Sequence, residues 1–217
     1  PIQMMESWVL GYKEKLRCVK TRWDKYRFYK SIYDRVLFPF RFIFDPRHCL
    51  LKSTTRGIKL EDIKRNPYNI IPIIADWIGI NNHNSLYKSE FLNKKFSRPS
   101  DCFNNITGFD TRSIDVYKGR FFGKKDILIL ETLLWPFLRS YGYSTILESE
   151  FSENLRKIKP MLFEPFEFEI SISEYLGLEI SQIKETDQFK RFRRFIIPVY
   201  ESLNNSNKYP EIIKPLI

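Results

Sequence analysis

Apolar side chains in the first part of the chain recur at steps of three and four, which is the spacing of an amphipathic helix. The pattern predicts one long helix or two consecutive helices over residues 1 to about 38, ended by Pro39. We assign the aromatic members to the core and not to a base-stacking surface, because they lie on the apolar stripe. The stripe consists of Met5, Trp8, Val9, Tyr12, Leu16, Val19, Trp23, Tyr26, Tyr33, Val36 and Leu37.

A strand followed by a helix is predicted next. Residues 57–60 read as a short buried strand, and Glu61 and Asp62 follow it at a bend. We assign these two carboxylates to structure, as orienting groups and helix caps at one edge of a sheet. The predicted helix begins with Asn66 as N-cap and Pro67 at its first position, and it ends at Gly79. Its apolar stripe consists of Ile70, Ile71, Ile74, Trp77 and Ile78.

The later part of the chain is mainly helical by the same criteria. Residues 126–143 predict a helix that Asp126 caps, Pro136 kinks and Gly142 ends. Residues 151–161 predict another helix, and residues 170–197 predict helix in pieces. Between them, the acidic and aromatic alternation of residues 163–169 suits an edge strand or an extended arm. Residues 81–107 read as a loop with one or two short helices, and residues 204–217 as a tail.

Composition indicates one domain over all 217 residues, since 43% of them are hydrophobic and 16% aromatic, enough for one substantial core. No run of about 18 uncharged apolar residues occurs, so we expect no membrane span. Three cysteines, Cys18, Cys49 and Cys102, have the spacing of neither a disulfide framework nor a metal site. We therefore expect a cytoplasmic protein without a metal. Because the chain opens on Pro1, we also expect a segment in front of it.

The net charge of +10 is concentrated in one part of the chain. Residues 1–65 carry 16 lysines and arginines against 7 acidic residues, which leaves 20 against 19 for the remainder. Such an excess is typical either of solvated helix surfaces or of a protein with an anionic partner. A second basic cluster, formed by Lys190, Arg191, Arg193 and Arg194, has the same two interpretations, with nucleic acid or an acidic membrane as the partner.

Two stretches suit phosphate binding. If a strand preceded Pro1, Ser7 would lie near a helix N-terminus, where free backbone N–H groups and the helix dipole favour an anion. Later, Lys118, Gly119 and Arg120 belong to a glycine-containing cationic loop whose backbone could approach a phosphate closely. The alternative for this loop is a solvated linker before a helix.

Both stretches resemble segments of PAPS-dependent sulfotransferases, where PAPS is 3′-phosphoadenosine-5′-phosphosulfate. Residues 1–7 are similar to the second half of that family's Arg-x-Pro-x-x-x-x-x-Ser motif for the 3′-phosphate. Residues 58–80 resemble its strand and helix with a Glu-Asp pair, a proline and a terminal glycine. Residues 117–119 resemble its Arg-Lys-Gly segment, although Tyr117 replaces the arginine, and the helix ending at Tyr143 resembles a late helix of the family. The resemblance covers residues 1–143.

The resemblance implies an α/β fold of the P-loop-like type, of which this chain holds the C-terminal part of a parallel sheet flanked by helices. It implies transfer of a sulfuryl group from PAPS to a hydroxyl or amine of a small molecule or carbohydrate. Ser7, Lys118, Gly119 and Arg120 would contact the nucleotide. The phosphosulfate loop and the catalytic base of the family precede the matched segment, so we expect this portion alone to be inactive.

Residues 144–217 then form a helical C-terminal extension of an N-terminally incomplete domain. The alternative function from another class is a non-catalytic basic binding protein for nucleic acid or an acidic membrane surface.

Overall fold

The computed structural model describes residues 2–18, 21–44, 54–88, 90–91, 94–95, 109, 111, 114, 119–143, 146–205 and 209–217. The chain divides into two compact units. Unit 1 contains Pro1–Thr54 and Tyr117–Ile213, and unit 2 contains Thr55–Val116 and Lys214–Ile217. The position after residue 143, where we expected the extension to begin, lies inside unit 1.

Helices dominate the described residues. In chain order they are α1 (Ile2–Cys18), α2 (Arg22–Phe44), α3 (Leu60–Arg65), α4 (Pro67–Ile78), α5 (Lys124–Leu133), α6 (Trp135–Ser140), α7 (Glu148–Ile158), α8 (Glu167–Ser173), α9 (Ile180–Ile183) and α10 (Asp187–Asn204). Single 3₁₀ turns occur at Asn84–Tyr87, Pro160–Phe163 and Glu174–Leu176. Two-residue strands, β1 (Glu90–Phe91) and β2 (Lys94–Lys95), pair antiparallel with Phe91 opposite Lys94.

The first helical pattern forms two consecutive helices, α1 and α2, which pack against each other. The predicted end at Pro39 is wrong, because α2 continues through Pro39 to Phe44. Phe40 and Ile43, both buried, lie in the part of α2 after this proline. Burial of these two side chains, worth about 1.5–3 kcal/mol each, offsets the roughly 3 kcal/mol that the lost hydrogen bond and the ring clash of a proline inside a helix cost.

The predicted helix over residues 126–143 is divided in two at Leu134, and Pro136 lies in the first turn of α6. Gly142, with a φ of 65°, ends this region as predicted. Asp126 is not the N-cap of α5, which is Gly123. Nor do residues 163–169 form a strand or arm, because α8 begins at Glu167.

The core of unit 1 is one continuous cluster of buried side chains, to which α1, α2, α5, α6, α7, α8 and α10 contribute. Helix α10 packs on α2 and α5, and α5 packs on α1, α7 and α8. At the centre of this cluster, the ring of Phe168 makes edge-to-face contacts with four other rings, and each centroid lies 5.7–5.8 Å from that of Phe168. The four rings are those of Tyr33, Phe122, Phe166 and Phe192. Edge-to-face contacts at this spacing are the favourable arrangement for aromatic rings.

The predicted strand at residues 57–60 in unit 2 is not formed. Gly57 makes a single parallel bridge to Pro215, with hydrogen bonds of 3.1 Å to the carbonyl of Lys214 and 2.9 Å from the N–H of Leu216. Leu60 instead begins α3 and is 60% exposed. A strand needs a partner along its length, and within the described residues only this one bridge is available.

Helix α4 has the predicted ends. Pro67 is its first residue, and Gly79, with a φ of 74°, is its C-cap. Ile70 and Ile71 are buried as predicted, whereas Trp77 and Ile78 are 40% and 51% exposed. The local signals therefore located the helix correctly but did not determine how much of its apolar face is covered.

The predicted helix-rich character is confirmed, but the described residues do not show the parallel sheet of an α/β fold. Their strands are β1 and β2, which are antiparallel and two residues long. No helix in the described part of the chain combines the length and the apolar character needed to cross a bilayer.

Candidate functional site

The two stretches that we predicted to bind phosphate contact each other in unit 1. Glu6, the residue before Ser7, is only 1% exposed, and its carboxylate reaches the loop at residues 119–122. Oε2 accepts the backbone N–H of Gly119 at 2.9 Å. Oε1 accepts the N–H groups of Phe121 and Phe122 at 3.1 and 3.0 Å. One carboxylate thus fixes a loop that lies more than 110 positions away in the sequence.

Of the four predicted site residues, the structure describes three. Ser7 is half-buried in the second turn of α1, and Gly119 and Arg120 are exposed. Gly119 has a φ of 68°, a conformation that favours glycine, although a Cβ atom there would meet nothing within 4 Å. Lys118 lies outside the described residues.

This geometry changes what can hold a nucleotide phosphate. Backbone N–H groups before a helix N-terminus are good anion ligands, and here Glu6 already occupies those of Gly119, Phe121 and Phe122. These three amides are therefore not free to bind a phosphate.

Glu6 itself was not predicted. A signal was present, because Glu6 lies next to Met5 and three positions before Val9, both fully buried. An acid on the apolar side of an amphipathic helix must be paired or hydrogen-bonded. The loop that satisfies it is distant in sequence, so its partner could not be named.

A second buried carboxylate joins the N-termini of two helices. Asp126, in the first turn of α5, accepts the N–H groups of Glu167 and Phe168 at 2.8 Å each. In return, the Glu167 carboxylate accepts the N–H of Lys125 at 3.2 Å. Each helix start is thus capped by an acid from the other helix. This reciprocal capping replaces the predicted role of Asp126 as the cap of its own helix.

Burial raises the pKa of Asp126 to about 7, against the opposing effect of its two backbone hydrogen bonds. The negative charges of Glu167 and Glu169 raise this pKa further. A carboxyl group with such a pKa could exchange a proton near neutral pH. Asp126 is fully buried, however, and both its oxygens are engaged by backbone N–H groups, so its contacts are those of a structural group.

The third buried acid, Glu169, forms an ion pair with Arg193 at 2.6 Å. Its Oε2 also accepts the N–H of Phe166 at 2.7 Å. Arg193 further donates to the carbonyl of Glu164 at 2.6 Å. Its guanidinium lies 4.0 to 5.2 Å from the ring centroids of three phenylalanines, Phe166, Phe189 and Phe192. Arg193 is therefore a core residue and not part of a basic surface.

Two tyrosines extend this polar cluster. The hydroxyls of Tyr29 and Tyr33 lie 3.2 Å apart, and Tyr33 interacts with Glu169. Burial raises the pKa of both tyrosines, most strongly for Tyr33. Both hydroxyls therefore stay protonated at neutral pH, which suits hydrogen bonding and not proton abstraction.

The other members of the basic cluster on α10 are also mostly paired. Lys190 contacts Glu185 at 3.0 Å, and Arg191 contacts Asp34 at 3.4 Å. Arg194 has no ionic partner within the described residues. The structure therefore locally compensates much of the charge that we considered for nucleic acid or membrane binding.

The remaining candidate groups are the two acids of α3 and the cysteines. Asp62 pairs with Lys59 at 3.1 Å, and Glu61 lies beside it in the first turn of α3, so neither follows a strand. Cys18 is exposed and free. Among the described residues, no group of three His, Cys, Asp or Glu side chains is arranged to hold a metal ion. Cys49 and Cys102 lie outside them.

Comparison with known proteins gave no family: no family model, no curated protein and no solved structure matches this chain.

Proposed function

We propose that this chain is a nucleotide-binding portion of a sulfotransferase that uses PAPS as sulfate donor and a hydroxyl- or amine-bearing small molecule or carbohydrate as acceptor. The observation that carries the proposal is the contact between Glu6 and Gly119. The two segments that resemble 3′-phosphate motifs are far apart in sequence, and this contact places them side by side.

Further support comes from the local geometry of unit 2. Helix α4 begins at Pro67 and ends at a left-handed Gly79, which matches the helix of the segment that resembles the family, whereas the strand before it is not formed. The support is local, because the described residues contain helices and not the parallel sheet that the resemblance implies.

The proposed roles follow from chemistry. The Ser7 hydroxyl can donate one hydrogen bond to a phosphate oxygen, and the Arg120 guanidinium can donate two in a fork. Glu6 would not touch the nucleotide, since its carboxylate would repel a phosphate. It would hold the loop that carries Arg120 against α1.

The test is isothermal titration of the 217-residue chain with adenosine 3′,5′-bisphosphate. We expect binding that weakens about tenfold in Ser7→Ala and in Arg120→Ala, the loss expected for one charge-assisted hydrogen bond. Ser149→Ala and Arg156→Ala, both at exposed positions of α7, are the matched controls and should bind as the wild type does. Adenosine 5′-monophosphate, which lacks the 3′-phosphate, should bind more weakly and lose little affinity in the two variants.

The absence of heat from the wild-type chain would overturn the proposal. So would an equal response to the two nucleotides, because the predicted contacts are to the 3′-phosphate. Binding to duplex DNA that weakens steeply with salt, without nucleotide binding, would instead favour the non-catalytic alternative.

A further inference from the structure

A cavity of about 890 Å³ lies in unit 1 beside α10. One side is formed by α10 from Arg194 to its C-terminal end, and the other by the 3₁₀ turn Pro160–Phe163, the residue before it and the end of α2. These residues are separate from Ser7, Gly119 and Arg120. The volume falls within the range of about 300–1,000 Å³ that is usual for small-molecule sites.

The walls of this cavity are mainly apolar. Phe163 is 56% exposed, although it is one of the larger apolar side chains of the protein. Its neighbours in the cavity include Phe44, Leu162, Phe195 and Ile197. An exposed aromatic side chain within a concave apolar surface is typical of a ligand site, because burying it against a ligand removes apolar area from water.

Positive charge lies beside these apolar walls. Lys159 and Arg194 both line the cavity, and neither has an ionic partner within the described residues. Glu201 is the carboxylate among the lining residues. Arg194 differs in this respect from the adjacent Arg193, which is buried and forms an ion pair with Glu169. Along α10, one arginine stabilises the core and the next faces the cavity.

We propose that this cavity binds a single-chain amphipathic carboxylate. The apolar chain would lie against Leu162, Phe163 and Phe195, and the carboxylate would lie at Lys159 and Arg194. An apolar wall favours an alkyl chain over a nucleotide, and the two cations favour an anionic head group over a cationic one. The site is independent of the proposed nucleotide site, since the two share no residue.

The test is isothermal titration with decanoate and with decyltrimethylammonium, both below their critical micelle concentrations. These probes have the same chain length and opposite head-group charge. We expect decanoate to bind and the cation to bind at least about tenfold more weakly, a difference of about 1.4 kcal/mol. Arg194→Glu and Lys159→Glu should each weaken decanoate binding about tenfold or more. Both residues are exposed, so the variants should keep the circular dichroism spectrum of the wild type.

Lys157→Glu is the matched control, because it makes the same charge change at an exposed position two residues from Lys159 and outside the cavity lining. The control should bind decanoate as the wild type does. Three results would overturn the proposal: no binding of decanoate, equal binding of the two probes, or equal weakening in the control. If decanoate does not bind but the chain adsorbs to phosphatidylglycerol vesicles, that form of the first result would assign the cations to a membrane surface. Failure of nucleotide binding would leave these outcomes unchanged.

Discussion

Glu6 and Gly119 are joined by a hydrogen bond of 2.9 Å between the carboxylate Oε2 and the backbone N–H. Two further N–H groups, of Phe121 and Phe122, reach the other oxygen of the same carboxylate. A buried carboxylate that accepts three N–H groups is satisfied only while those donors remain in place. The contact therefore couples the order of the loop to the position of α1.

The first prediction concerns this contact. Glu6→Gln retains one acceptor oxygen and directs an NH₂ group at backbone donors, so at least one charge-assisted hydrogen bond is lost. We expect a decrease of about 2–4 kcal/mol in the free energy of unfolding, measured with urea. Amide hydrogen exchange at residues 119, 121 and 122 should become faster. Glu153→Gln, at an exposed position of α7, is the control and should change neither measurement. Unchanged exchange at the three amides would contradict the coupling.

The second prediction concerns the buried ion pair. Arg193→Met leaves Glu169 charged and without its cation in the core, which typically costs about 3–5 kcal/mol. Adding Glu169→Gln removes that charge while keeping an acceptor for the N–H of Phe166, so the double variant should be more stable than Arg193→Met alone. Arg194→Met, one position further on the exposed side, should change stability by less than about 0.5 kcal/mol. A double variant less stable than the single one would contradict this account.

The third prediction is a pH dependence set by Asp126. Its pKa is about 7 in the folded chain, against an ordinary value of 3.8. Between these two values the folded state keeps a proton that the unfolded state has lost. Stability should therefore fall as pH rises from about 4 to about 7, with a slope from this group of at most about 1.4 kcal/mol per pH unit. Below this window the group contributes no slope.

Urea unfolding at several pH values measures this predicted pH dependence of the free energy of unfolding. Asp126→Asn cannot titrate, so the difference in stability between the wild type and this variant should change across the same window and become constant above it. Glu153→Gln should follow the wild-type profile. Parallel profiles for the wild type and Asp126→Asn would mean that Asp126 is ionised throughout.

The fourth prediction concerns Gly123, the N-cap of α5. A Cβ atom at this position would overlap the Glu167 carboxylate, which would have to leave the N–H of Lys125. We expect Gly123→Ala to cost about 1 kcal/mol or more, the usual loss for a helix cap. The cost should shrink in a Glu167→Ala background, because the overlapping group is then absent. Gly11→Ala, at an open position within α1, should instead be neutral or stabilise by up to about 1 kcal/mol.

Local signals in the sequence located several elements correctly. Pro67 and Gly79 mark the ends of α4, Gly142 ends the region after α6, and the periodic apolar residues predicted the first two helices. These signals act through backbone geometry and side chains within one or two helical turns. The sequence by itself therefore determined where these helices lie, and where α4 and the region after α6 end, because the residues responsible are close neighbours in the chain.

The tertiary structure decided the outcomes that depend on partners distant in sequence. Residues 57–60 have the pattern of a strand but form only one bridge, because a ladder needs a neighbour. Arg193 belongs to a basic run and is nevertheless buried, because Glu169 lies opposite it. Glu6 finds its donors in a loop more than 110 positions away. The burial of a charge, unlike the start of a helix, is determined by what packs around it, and no local pattern specifies those neighbours.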